Sequence, residues 1–135
     1  MIFSEWERTV PIEIKEDVVW KMEAYRLSLF LSDACWEDTN IILSEKRFSL
    51  ADQLYRSVGS IGANIIEGYS RRSKKEKARF YEISLGSARE AKDWYFKSRH
   101  LLTEKKSASR IKMLTSIIKL LQKMISDQRW KSRNT

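Results

Sequence analysis

Residues 53–90 read QLYRSVGSIGANIIEGYSRRSKKEKARFYEISLGSARE. Leu50, just before this stretch, and Leu54, Val58, Ile61 and Ile65 within it recur at spacings of 4, 4, 3 and 4, the seam of a bundled helix. Arg56, Ser60, Asn64 and Glu67 follow at 4, 4 and 3, so they share a second line on that helix. Beyond the short turn of residues 69–72, Ser73 and Glu76 have the spacing of a capping box. A further helix then carries Phe80, Ile83, Ser87, Glu90 and Trp94 at spacings of 3, 4, 3 and 4. A short turn between two amphipathic helices makes them antiparallel neighbours. Polar groups within an apolar pattern need partners, because an unpaired buried one costs about 1–3 kcal/mol. Gly68 stands where a left-handed residue ends a helix. Gly86, in mid-helix, costs about 0.5–1 kcal/mol relative to alanine, so a close helix approach is expected there.

Outward from this pair, Val18, Met22, Tyr25, Leu29 and Trp36 predict an earlier helix over about 17–43, with Asp17 at its N-terminus. Ser49 fits an N-cap for the helix over 49–67. Ile111, Leu114, Ile118, Leu121 and Ile125 give a last seam, within a helix over 108–128, after one over 74–102. Pro11 and the mixed residues around it predict an extended N-terminal arm over 1–16. Residues 129–135 form a basic tail expected to fray. No strand pattern is present, so the chain reads as an all-α, antiparallel up-down-up-down four-helix bundle.

A chain of 135 residues makes one domain of ordinary size. No run of about 18 apolar residues is present, and the N-terminus lacks the apolar core of a signal peptide. The single cysteine, Cys35, excludes an internal disulfide and fits a buried small hydrophobe in a reducing compartment. Glu67 and Glu90 on adjacent helices suggest a di-metal carboxylate site, but that chemistry needs histidine ligands and His100 stands alone. No Gly-rich phosphate loop, nucleophile elbow or zinc spacing is present, so neither cofactor nor enzyme chemistry is expected. The formal charge of +8 is unevenly placed: residues 1–44 hold four Lys/Arg against nine Asp/Glu, and residues 45–135 hold 22 against nine. That asymmetry suits head-to-tail packing of subunits, or a basic face for a polyanion.

The run from Gln53 to Gly68, the basic turn, and then Gly86, Ser87 and Glu90 together resemble the four-helix-bundle family encoded in intervening sequences of bacterial 23S rRNA genes, also called S23. Wider relatives include the accessory variability proteins of diversity-generating retroelements. The motif covers about a third of the chain, and the four-helix layout nearly all of it. This sequence departs from the family at Gly62, where proline is common, and in the first connection, which lacks a usual proline. The resemblance implies a cytoplasmic protein that assembles as a homopentameric ring with a positively charged surface. In the retroelement relatives the ring is thought to hold nucleic acid and a reverse transcriptase. For function this is argument by analogy.

Two readings stand for each candidate group. Arg56, Ser60, Asn64, Glu67, Ser87 and Glu90 form either a lined site or, the favoured reading, a structural polar seam that fixes register. Arg71, Arg72, Lys74, Lys75, Lys77 and Arg79 place six basic residues in nine. That run is either a solvated turn or a phosphate-contacting patch at a helix N-terminus. Tyr69 is the base-stacking candidate beside it. Arg129, Lys131 and Arg133 should lie at the same pole of the bundle, and Lys105, Lys106, Arg110 and Lys112 at the other. The five tryptophans exceed the needs of a small core and suit subunit interfaces. The leading expectation is a non-enzymatic homo-oligomer that binds RNA or DNA. The alternative is a protein–protein scaffold whose charge asymmetry serves assembly.

Overall fold

Long helices dominate the computed structural model, which describes residues 1–134; of the expected tail, residue 135 lies outside the described residues. Two short helices, α1 (Phe3–Glu7) and α2 (Ile12–Lys15), and a 3-10 turn (Val18–Lys21) precede four long ones. These are α3 (Glu23–Ser44), α4 (Phe48–Tyr69), α5 (Lys74–Lys97) and α6 (Glu104–Arg133). Each long helix packs on the next and α6 returns to α3, which closes an antiparallel four-helix bundle. The described residues include no strand.

The α4 seam is where the spacing puts it: Leu54, Val58, Ile61 and Ile65 are fully buried, and Leu50 partly so. The α5 core line differs. It runs through Ala78, Tyr81, Ser84, Ala88, Ala91 and Tyr95, while Phe80, Ile83, Ser87, Glu90 and Trp94 stand on a flank that is half-buried or exposed. Small residues let α5 sit close between α4 and α6, and closeness outweighs the area that the larger side chains would bury. On α3 the buried line is Ala24, Ser28, Leu31, Cys35, Asp38 and Ile42, with Val18 and Trp36 exposed.

Helix ends also differ from expectation in instructive ways. The N-terminal segment is no extended arm. Trp6 of α1 is buried against Phe30 and Trp20 and donates to Asp33 at 2.5 Å, enough to fix a helical turn on α3. Asp17 does cap, accepting from the Val19 amide, but it opens the 3-10 turn rather than α3. α4 begins at Phe48, one residue before Ser49, and has no side-chain cap. Before it, Lys46 has a φ of 60° while the Arg47 amide reaches the Ile42 carbonyl at 3.3 Å, a Schellman closure with lysine at the glycine position.

Gly68 is not left-handed; α4 continues through it to Tyr69. Its lack of a side chain admits the Tyr81 ring, since a Cβ there would stand 2.6 Å from Tyr81 Cε1. Gly62 likewise meets Ser28 of α3, with a Cβ at 2.8 Å from Oγ. Gly86 marks no close approach, for a Cβ there meets nothing within 4 Å. The last helix, expected from 108, already begins at Glu104, capped by Thr103 accepting from the Lys106 amide at 3.1 Å. The expected tail is helical to Arg133, held where Arg129 donates to Glu82 Oε1 at 2.6 Å.

Candidate functional site

Antiparallel connectivity gathers the end of α4, the start of α5 and the end of α6 at one pole. Ser73 opens α5 by accepting from the Glu76 amide at 3.1 Å, whereas the Glu76 carboxylate turns to Arg79 at 2.8 Å rather than back to the cap. The Arg79 hydrogen bond holds the Glu76 carboxyl below its ordinary range. Arg71 pairs with Glu67 at 2.9 Å, and the Arg71 and Arg79 guanidinium carbons stand 4.7 and 4.6 Å from the Phe80 ring centre. Phe80 is thus flanked by two cations, which braces the turn.

Lys77 does not face solvent as a phosphate contact would. Its Nζ donates to the Tyr69 carbonyl at 2.6 Å, closing the end of α4, and lies 5.2 Å from the Tyr69 ring centre. Burial, then repulsion from Lys74, pulls its pKa down. Tyr69 is half-buried against the core, beside a hollow that Glu13 and Asp17 also line, which makes it a poor stacking platform for a polyanion. Arg72, Lys74 and Lys75 remain. Among the described residues they make no side-chain hydrogen bond or ion pair, and they stand at the positive end of a 24-residue helix. Arg129 is occupied by Glu82; Lys131 lies exposed in the last turn of α6.

The polar seam divides. Ser60 and Ser87 share a hydrogen bond of 2.8 Å between α4 and α5, and Asn64 donates to the Ser60 carbonyl and Oγ at 2.8 and 2.9 Å. Arg56, Glu67 and Glu90 do not join them. Each pairs locally at the surface: Arg56 with Asp52 and Glu90 with the Trp94 indole within their helices, and Glu67 with Arg71 of the following turn. Glu67 and Glu90 therefore serve separate surface contacts.

One constellation escaped the sequence reading. Asp38, fully buried, accepts from the Tyr95 hydroxyl at 2.8 Å and from Arg110 Nε and Nη2 at 2.8 and 3.3 Å. Arg110 thus leaves the basic cluster to which its neighbours Lys105, Lys106 and Lys112 belong. Burial works against its charge, but the Asp38 hydrogen bond and charge outweigh that and raise its pKa. Burial also pushes the adjacent Cys35 thiol up to about 12 and the Tyr95 phenol upward. An inert thiol beside a satisfied ion pair is a structural arrangement, not a nucleophile. The signal was legible: Asp38 falls at a core spacing from Leu31, Cys35 and Ile42, as does Arg110 from Leu114 and Ile117.

Residues 20–123 match the family of 23S rRNA-intervening sequence proteins. The chain belongs to that family. A crystal structure of a protein of unknown function from Bacteroides thetaiotaomicron, of the S23 ribosomal protein family, superposes with a TM-score of 0.72 at 27% identity, covering 76% of this chain and 97% of that one. No curated protein matches the chain. The family match begins beyond α1 and α2, so the aromatic N-terminal cover lies outside it. Among the described residues no helix is long and apolar enough to cross a membrane.

Proposed function

We propose that this S23-family bundle is a non-enzymatic, self-associating protein that binds RNA through the pole where α4 meets α5. The observation that carries this reading is the set of three cations, Arg72, Lys74 and Lys75, standing without a side-chain hydrogen bond or ion pair among the described residues at the N-terminal end of α5. Arg71, Lys77 and Arg79 hold the turn in shape, which presents the three together rather than as a floppy charge run. Copies brought together in an assembly would repeat the patch, so weak phosphate contacts would combine.

The test is retention of a generic single-stranded RNA, followed by fluorescence anisotropy at several salt concentrations. The triple variant Arg72→Glu, Lys74→Glu, Lys75→Glu leaves Arg71, Lys77 and Arg79 in place. It is expected to lose binding, and the wild type to show a log–log salt slope of about −0.7 per phosphate contact. Undiminished binding by the variant would refute the assignment. A second reading, a protein–protein scaffold with no nucleic-acid role, is favoured by one observation, the exposed apolar face around Trp36. A wild type that assembles yet ignores RNA at low salt selects that reading.

A further inference from the structure

Where α2 and the 3-10 turn meet the end of α4, the chain leaves a hollow of about 180 Å³, with Glu13 and Asp17 on one side and Tyr25, Ile66 and Tyr69 on the other. Its two carboxylates are short of partners. Among the described residues neither makes an ion pair, and only Asp17 Oδ1 is engaged, by the Val19 amide at 3.1 Å. The neighbouring donors are committed elsewhere. Lys77, 5.2 Å from the Tyr69 ring centre, donates to the Tyr69 carbonyl and does not line the hollow. Ser70 Oγ donates to the Ile66 carbonyl at 2.8 Å, and Lys15 Nζ to the Glu7 carbonyl at 3.4 Å.

Tyr25 adds an observation independent of the acids. The residue is only 7% exposed, yet among the described residues its hydroxyl makes no hydrogen bond. That hydroxyl is the open end of a buried ring and faces the hollow, where burial, then the Asp17 charge, raises its pKa. Buried polar side chains are nearly always partnered, so the hollow is where a partner belongs.

The walls decide what kind. Ile14, Val19 and Ile66 are aliphatic, which suits methylenes rather than a hydrated ion. Two carboxylates also fall short of the roughly six to eight oxygens that calcium takes. The space lies below the roughly 300–1,000 Å³ of pockets for drug-sized molecules, so the ligand is short.

We infer that the hollow binds a primary alkylammonium group, its charge held by Glu13, Asp17 and the Tyr25 hydroxyl and its methylene stem laid along Ile14, Val19 and Ile66. A free short diamine and the side chain of a lysine share that chemistry. Glu13 and Asp17 precede residue 20, where the family match begins, so the segment leading into the bundle adds this site to it. The site does not depend on RNA binding at the α4–α5 turn.

Isothermal titration calorimetry of the full chain at low salt tests it, with putrescine and Nα-acetyl-lysine methylamide as probes and circular dichroism to show that helix content is kept. Saturable binding of at least one probe at a single site per chain is expected. Tyr25→Phe keeps the ring and both carboxylates and should weaken binding about tenfold, the worth of a hydrogen bond to a charged group. Glu13→Gln with Asp17→Asn should abolish it, while asparagine still caps the 3-10 turn. Glu45→Gln, at an exposed acid beyond the far end of α3, should leave it unchanged. Putrescine bound more tightly than the blocked lysine identifies a free diamine as the ligand. The blocked lysine bound as tightly or more so identifies a lysine of a partner protein, and either result upholds the site. Absence of saturable binding by both probes overturns the inference, as does wild-type affinity in Tyr25→Phe. An equal loss in Glu45→Gln and in the Glu13–Asp17 pair would mean general attraction to acids and overturns it too.

Discussion

The Ser60–Asn64–Ser87 cluster and the Asp38–Tyr95–Arg110 cluster both join helices through polar side chains, yet they are built on different terms. The first is neutral and half-buried and ties residues 27 apart in sequence. The second is charged, centred on a carboxylate with no exposure, and ties residues 57 and 72 apart. Water can replace a lost partner in the first, whereas the fully buried Tyr95 hydroxyl of the second has none at hand. The contrast teaches that the register of α3 against α5 and α6 is set by an interaction whose disruption is expensive, and that of α4 against α5 by one whose disruption is mild.

The largest effect should come from Asp38→Ala. It strands the Tyr95 hydroxyl in the core and leaves the Arg110 guanidinium, 16% exposed, without its counter-ion, and a loss of about 3–5 kcal/mol is expected from urea denaturation. A loss below about 1 kcal/mol would remove the contrast between the clusters. Next comes alkaline pH, which probes the charged cluster without mutation. The Cys35 thiol, ordinarily near 9, is pushed up to about 12 in the folded protein, chiefly by burial. Above that ordinary value the unfolded chain binds fewer protons than the native one. Stability is therefore full below about pH 9 and falls on going upward, by about 1.4 kcal/mol per pH unit for each such group. The Tyr95 phenol adds to the fall in the same direction from about pH 10. Denaturation midpoints that stay level between pH 8 and 11 would contradict this account. Asn64→Ala should have the smallest effect, a loss of about 1 kcal/mol or less, because Ser60 keeps Ser87 and the freed carbonyl already serves the helix.

The same contrast explains what the sequence made legible. The α4 seam is unambiguous because its large aliphatic residues are also its buried ones. On α5 the large residues, Phe80, Ile83 and Trp94, lie beside the core line, and the buried positions are mostly Ala and Ser. A reading weighted by side-chain size therefore chose the flank. Arg110 reads as one of a basic cluster, and Asp38 as one of the nine acids of residues 1–44. The core spacing of each is visible in the sequence, but what satisfies its charge is known only from the partner 72 residues away. Among the candidate contacts, local spacing could place Arg72, Lys74 and Lys75 at a helix start. It could not show that Lys77 turns back to the Tyr69 carbonyl or that Arg129 is occupied by Glu82. Such diversions depend on which helix lies alongside, a fact that no local pattern contains.

The tryptophan that α1 lays on α3 has a practical corollary. Cutting the chain at residue 17 would keep all four long helices while stripping the lid from Phe30 and Trp20. The shortened protein would fold and yet turn sticky, gathering into ill-defined particles in a manner unrelated to any ordered ring. Work on assembly should accordingly use chains that begin at the first methionine, lest an uncovered aromatic shelf be taken for a native joint.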